Sequence, residues 1–110
     1  MAVRMERDRA WRAVRPELTT GVFGQDLWQG EVRIVLTRVD PGGKFALHRD
    51  AYGHLFNILS GEGVFQVGTT SHPLSSGASL EVAPGELHGY ENRSNDQLVL
   101  LSLNLPPKGR

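Results

Sequence analysis

Three of the four histidines in the chain lie at spacings that suit a shared metal ion. His48 and Asp50 are separated by one residue, His54 follows shortly after them, and His88 comes much later in the chain. Residues two apart in a strand point to the same face, so His48 and Asp50 are expected to project together. Imidazole and carboxylate groups on an inward face are costly to desolvate unless something satisfies them. A divalent first-row ion such as Mn, Fe, Ni, Cu or Zn does so, and the pattern therefore indicates a candidate metal site.

The elements that must position these side chains are short runs rich in Val, Leu, Ile and Phe, separated by glycine and proline. These runs predict strands over residues 31–39, 45–50, 54–60, 64–67, 79–83, 88–92 and 97–105. Turns are expected at 40–43, 61–63 and 84–85. Many short strands at close spacing predict an all-β sandwich or closed barrel. Only residues 5–14 fit a helix, which Arg15 would end because Pro16 follows it.

Length and charge limit the classes of protein. A chain of 110 residues and 12.1 kDa has room for a single domain, taken here as 1–110. Twelve basic and twelve acidic residues balance, so the chain offers no overall basic field for nucleic acid or a membrane surface. Five arginines fall in the first 15 residues, where we expect a frayed, exposed N-terminal arm rather than a nucleic-acid-binding one.

Targeting and redox signals are absent from the sequence. No stretch approaches the ~20 apolar residues that a membrane-spanning helix needs, and no apolar segment follows the N-terminal charges as in a secretory signal. The chain contains no cysteine, which excludes disulfides, thiolate ligands and a cysteine nucleophile. The expected compartment is the cytoplasm.

Two motifs resemble those of the cupin superfamily. The first cupin motif has the form G-x5-H-x-H-x3,4-E-x6-G, and Gly42, His48, Asp50, His54 and Gly61 reproduce its spacing over residues 42–61. The second has the form G-x5-P-x-G-x2-H-x3-N, matched over 77–92 at the positions Gly77, Gly85, His88 and Asn92. Its proline is displaced by one place, from 83 to 84. The chain is thus similar to small single-domain cupins, also called RmlC-like jelly-roll proteins.

The resemblance implies a fold and a ligand set. It implies a double-stranded β-helix, the cupin jelly-roll barrel, that holds one divalent first-row ion (Mn, Fe, Ni or Zn) through His48, Asp50, His54 and His88. The family's second histidine is Asp50 here and its glutamate is His54, so the carboxylate has moved along the motif. Asp50 is therefore expected either to bind the ion or to support a ligand histidine by a hydrogen bond.

Other residues have two interpretations each. His72 matches no motif position and is expected in a solvated loop. Phe56, Ile58 and Tyr90 share strand faces with the histidines, so they line the cavity or simply pack the barrel core. Tyr90 is the candidate catalytic residue among them, because its hydroxyl can donate a hydrogen bond to a substrate. The tryptophans Trp11 and Trp28 lie outside the motifs and are expected at a homodimer interface, an association that small cupins commonly show.

Three functional hypotheses follow. The first is a mononuclear metalloenzyme that acts on a small organic molecule by dioxygenase-type or sugar/keto-acid isomerase-type chemistry, both of which the resemblance permits. The second is a non-catalytic module that binds a metabolite or a metal, and the third is a barrel without a functional metal. No general base apart from the ligands is evident, which favours chemistry in which the metal does most of the activation.

Overall fold

The computed structural model describes residues 10–107. The regular secondary structure in this range consists of nine β-strands. In chain order the strands are β1 (Arg12–Ala13), β2 (Thr19–Gln29), β3 (Arg33–His48), β4 (Gly53–Ser60), β5 (Glu62–Val67), β6 (Thr70–Ser75), β7 (Ser79–Val82), β8 (His88–Glu91) and β9 (Leu98–Leu105). The all-β fold predicted from the sequence is confirmed.

A single antiparallel sheet curls into a nearly closed barrel in the order β6-β5-β8-β3-β9-β4-β7, with β2 paired to β3 and β1 to β2. β3 has 16 residues and joins the two halves of the barrel. Its first half pairs with β9, from Arg33 opposite Asn104 to Val39 opposite Leu98. Its second half pairs with β8, where His48 lies opposite His88.

The turn predicted at 40–43 is wrong, because β3 runs through it without reversing. The backbone of this segment is paired with Asn92: Gly42 N donates to Asn92 O and Asn92 N donates to Gly43 O, each at 2.9 Å. A register shift in the β2–β3 pairing between Thr20 and Val22 absorbs the irregularity. The Asn92 side chain is also buried and donates to Val39 O at 3.0 Å, which fixes the end of the second motif on β3.

The core fills the interior of the barrel with one face of each strand. Along β9, Leu98, Leu100 and Ser102 are buried while their odd-numbered neighbours are only half-buried, as the two-residue period of a strand requires. At the β4–β5 corner, Gly61 has φ +80°, and a Cβ there would lie 2.4 Å from the Gln97 carbonyl oxygen. Only glycine fits this turn.

Two further expectations need correction. The first half of the helix predicted over 5–14, up to residue 9, lies outside the described residues. Residues 10–14 form no helix; instead Arg12 and Ala13 pair with β2, opposite Gly24 and Phe23. The same pairing orders the end of the arm that was expected to fray over 1–15. His72 is not in a loop but in β6, opposite Phe65, and is half-buried. The chain reverses earlier, at Gly68, whose φ is +59°. Strands β1, β2 and β6 were not predicted.

Among residues 10–107, no helix has the length and hydropathy that a bilayer crossing requires.

Candidate metal centre

His48 and His88 face each other where β3 ends and β8 begins. Their backbones are directly paired in the sheet, and their ring centroids are 4.3 Å apart. The strands come this close because residue 89 has no side chain: a Cβ on Gly89 would lie 2.6 Å from the carbonyl oxygen of Phe45. The glycine thus brings the two motifs together at the site.

His54 and Asp50 complete the cluster from neighbouring elements. His54 lies on β4, paired with Val82 and Asn104 on its two sides, and its ring centroid is 4.6 Å from that of His88. Asp50 was predicted to share a strand with His48, but β3 ends at His48 and Asp50 lies in the loop that leads to β4. Gly85 N donates to the Asp50 carbonyl at 2.8 Å and holds that loop against the second motif. The strand-parity argument for Asp50 was therefore wrong, although its side chain does reach the cluster.

One carboxylate oxygen is the point on which the imidazoles converge. Asp50 Oδ2 lies 2.9 Å from His54 Nε2, 3.0 Å from His48 Nε2 and 3.7 Å from His88 Nε2. All four side chains are less than a tenth exposed. His48, Asp50 and His88 form a group whose ligand atoms lie within 4.8 Å of one another, which is compact enough to hold a metal ion.

The far side of each ring is held by an oxygen atom. His48 Nδ1 lies 2.8 Å from Ala46 O, and His88 Nδ1 lies 2.8 Å from Glu86 O. A carbonyl oxygen only accepts, so both Nδ1 atoms carry a proton, and it is the Nε2 atom of each ring that faces the cluster. His54 Nδ1 lies 3.2 Å from the side-chain oxygen of Asn104. Oxygen partners of this kind orient the histidine ligands of metals.

This donor set fits a divalent first-row ion. His48 Nε2 and His88 Nε2 both face Asp50 Oδ2, at 3.0 and 3.7 Å, so a cation bound here would have two imidazole nitrogens and a carboxylate oxygen within reach. The Nε2 of His88 is buried, and no hydrogen-bond partner for it is found among the described residues. Neutral imidazole and carboxylate together are ligands that Mn, Fe, Ni and Zn accept. The donor set alone does not distinguish among these ions.

Burial and hydrogen bonds hold His54, His88 and Asp50 in the protonation states that bind a metal. Burial lowers the pKa of His54 and of His88 below the ordinary value, which keeps both rings neutral near pH 7. Burial alone would raise the pKa of Asp50, but hydrogen bonds from Arg15 and His54 outweigh it and the pKa is lowered. Neutral histidines and an ionised aspartate are the forms that bind a metal.

A cavity of about 300 Å³ opens beside the cluster, at the small end of the range for small-molecule sites. The four candidate ligands and Tyr90 line it, together with Phe45 and Phe56. The Tyr90 ring packs 5.3 Å from Phe45 and 5.8 Å from Phe56, centroid to centroid. Phe56 and Tyr90 thus line the cavity and are buried as well, while Ile58 belongs to the core cluster.

Sequence reasoning missed the polar residues around the cavity mouth. Arg15, Arg12, Arg33 and Asp26 line it, as do Tyr52 and Asn104. For Asn104 a signal existed, since it is a polar residue on the same face of β9 as Leu98 and Leu100, the face that turns inward. No pattern in the sequence placed the arginines at the cavity, because their positions depend on the pairing of β1, β2 and β3.

The comparisons agree with this geometry. A family model described as a cupin domain matches residues 35–104, and the chain belongs to this family. No curated protein matches the chain. The cupin resemblance and the jelly-roll barrel predicted from the two motifs are confirmed.

Several solved structures share the fold. A predicted oxalate decarboxylase from Thermotoga maritima is 26% identical, with a TM-score of 0.75 over 80% of this chain and 84% of that one. The polyketide cyclase RemF from Streptomyces resistomycificus is 18% identical, with a TM-score of 0.84 over 98% and 81% of the two chains. An RmlC-like cupin from Shewanella frigidimarina is 22% identical, with a TM-score of 0.72 over 80% and 78%. The last two comparisons show the fold alone.

Proposed function

We propose that this cupin is a mononuclear metal-dependent enzyme that acts on a small organic molecule. The observation that carries the proposal is the convergence of imidazole nitrogens on Asp50 Oδ2, with their opposite nitrogens already held by oxygen atoms. Such preorganisation at the edge of a small cavity suits a centre that binds an ion on one side and a substrate on the other.

His48, Asp50 and His88 would hold the ion, and His54 is placed to be the fourth ligand through its contact with Asp50. When bound, the ion supplies Lewis acidity, and for a redox-active metal also electrons, at positions open to the cavity. Phe45 and Phe56 exclude water from the substrate side. Tyr90 is proposed to donate a hydrogen bond to the substrate; burial raises its pKa, so its hydroxyl keeps the proton at working pH.

The charged residues of the cavity favour dioxygenase-type over isomerase-type chemistry. An isomerase needs a protein base to move a proton between carbon atoms. Both carboxylates that line the cavity are bound to arginine: Asp26 to Arg12 and Arg33, and Asp50 to Arg15. An arginine-bound carboxylate is a weak base. Two structures that share the fold are described as enzymes of different reactions, a predicted oxalate decarboxylase and a polyketide cyclase. Similarity of fold therefore does not identify the reaction.

Oxygen uptake by protein reconstituted with Fe(II), Mn(II), Ni(II) or Zn(II) tests this proposal against a panel of diketones, enediols and catechols. We expect at least one redox-active ion to support substrate-dependent uptake, and His48→Ala to abolish it. His72→Ala is the matched control, a histidine outside the cluster, and should keep full activity. If the loaded protein binds members of the panel but neither consumes oxygen nor isomerises them, the protein is a non-catalytic binding module instead.

The homodimer and the cytoplasmic location remain predictions. The homodimer is supported by the outer face of the sheet, where Ile34, Leu36, Leu55 and Leu103 are only half-buried by the chain's own residues and Trp28 is 62% exposed. A chain with no net charge does not repel its own copy, which makes a second copy the proposed occupant of this face. Cell fractionation would test the location.

A further inference from the structure

Arg15 lies directly against the candidate metal cluster, bound to the carboxylate that the histidines share. Its Nη1 donates to Asp50 Oδ1 at 2.7 Å, while Asp50 Oδ2 faces the imidazoles. The Arg15 side chain is 38% exposed, whereas that of Asp50 is 6% exposed. The Asp50 carboxylate therefore connects two groups. One is the Arg15 guanidinium, which reaches the cavity mouth, and the other is the histidine cluster, where an ion would bind.

The backbone around Arg15 is fixed in an unfavourable conformation. Its φ of +42° is the one positive value at a non-glycine residue in the described chain, a conformation that costs about 1–3 kcal/mol. Three hydrogen bonds secure this turn: Leu18 N donates to Arg15 O at 2.8 Å, Val14 N donates to Val22 O at 3.0 Å, and Ala46 N donates to Leu18 O at 2.8 Å. Such strain is retained where the surrounding structure demands it, often at functional sites.

The charges of the cavity become strongly unbalanced once an ion is present. Without an ion, Arg15 and Asp50 neutralise each other. A divalent ion at Asp50 would add two positive charges, since metal-bound histidines are neutral, and the exposed Glu17 carboxylate beside Arg15 offsets one of them. Arg12 and Arg33 share the single carboxylate of Asp26 at the same mouth and contribute one more. A partly buried site with this excess attracts an anion.

We propose that Arg15 is a specificity-determining residue that binds a carboxylate of the substrate, so the substrate is a small organic acid. This inference rests on the proposed function and deepens it. A guanidinium offers five N–H donors in a planar fork, and the bond to Asp50 Oδ1 and the looser ion pair of Nε with Glu17 Oε2, at 3.7 Å, leave others available. Carboxylate is the anion that this fork binds in two parallel hydrogen bonds. The apolar aromatic side of the cavity, Phe45 and Phe56, suits the carbon part of such an acid.

Malonate is a suitable probe, with uncharged malonamide of similar shape as its control. Titration calorimetry on the zinc-loaded protein, which is redox-inert, measures binding without turnover. We expect Arg15→Gln to weaken malonate binding at least tenfold and Arg15→Lys to weaken it severalfold, since lysine keeps the charge but loses the fork. Malonamide binding should not change. Arg93→Gln is the matched control, an exposed arginine paired with Glu91 and absent from the cavity lining.

Modification of the wild-type protein by phenylglyoxal, mapped by peptide mass spectrometry, gives a readout that needs no variant to fold. Malonate should slow modification of Arg15 several-fold, malonamide should not, and Arg93 should react equally in both. The inference is overturned if zinc is bound at one equivalent but malonate neither protects Arg15 nor depends on it in the variants. If the protein takes up no zinc, the proposed function itself has failed, so the two failures are distinguishable.

Discussion

Replacing Asp50 by asparagine removes one negative charge from the centre of the cluster and leaves its shape unchanged. We expect this variant to lose metal affinity by about 1,000-fold or more. In the metal-free protein the new amide can still form hydrogen bonds with the imidazole nitrogens and, through its oxygen, with Arg15. The variant should still fold, with a loss of about 1–3 kcal/mol because Arg15 loses its charged partner. A loss of metal affinity in this variant can then be attributed to the site and not to unfolding of the protein.

The expected magnitude follows from two contributions. Removal of a residue that merely supports a ligand costs about 10- to 100-fold in affinity, so loss of a charged ligand should reach at least the upper figure. The substitution also leaves Arg15 uncompensated beside the ion. At a separation of about 6 Å and the dielectric constant of water, that repulsion is about 1.4 kcal/mol, another factor of ten. Together these contributions amount to about 4 kcal/mol.

Competition with a chromophoric chelator measures these affinities. In the Asp50→Asn background, Arg15→Gln should restore about tenfold, because it removes the repelling charge. Asp50→His should still bind metal through four imidazoles. Asp40→Asn is the matched control, since Asp40 also lies near an arginine but outside the cavity. If Asp50→Asn binds as tightly as the wild type while His48→Ala does not bind, Asp50 is a bystander and the reasoning is refuted.

Three further predictions concern stability, catalysis and assembly. Because the pKa values of His54 and His88 are lowered on folding, the unfolded chain binds more protons below about pH 6.5. The free energy of unfolding of the metal-free protein should therefore fall as the pH drops from 7.5 to 5.5, by up to about 1.4 kcal/mol per histidine per pH unit, and the urea midpoint should fall with it. Tyr90→Phe should leave metal affinity unchanged and lower turnover about 100-fold or more. Sedimentation equilibrium should give twice the chain mass, and Leu103→Glu on the outer sheet face should give monomers.

Each of these predictions has a result that contradicts it. A urea midpoint that stays constant between pH 7.5 and 5.5 would show that the histidines are not held neutral by burial. Full turnover by Tyr90→Phe would leave the tyrosine as a packing residue of the aromatic cluster. A clean mass near 12.1 kDa at micromolar concentration would refute the homodimer.

The parts of the fold that could be predicted from the sequence are those where a pattern is local. The strand over 97–105 and the motif spacings that bring His48 and His88 together were readable without coordinates. The segment 40–43 was misread, because its turn-forming residues are held in β3 by pairing with Asn92, a partner about 50 residues away. β6 was missed because His72 and Pro73 are atypical strand residues, tolerated here because β6 lies at the edge of the sheet.

The candidate site was likewise predictable from the sequence only in part. The histidines were found from the spacing of the motifs, whereas Asp50 was assigned to a strand that ends two residues before it. Arg15 was read only as the end of a predicted helix. Its place at the cavity depends on the pairing of β1 with β2 and on hydrogen bonds to β3, and neither leaves a periodic pattern in a single sequence.

The most direct test of the central claim is an anomalous-scattering map from a crystal of the reconstituted protein, collected at the absorption edge of the added ion. The account predicts one strong peak per chain, within coordination distance of His48 Nε2, His88 Nε2 and an oxygen of Asp50, at about 2.0–2.2 Å for a zinc ion. A map with no peak in the barrel, from protein soaked at an ion concentration that saturates ordinary histidine–carboxylate sites, would contradict the account.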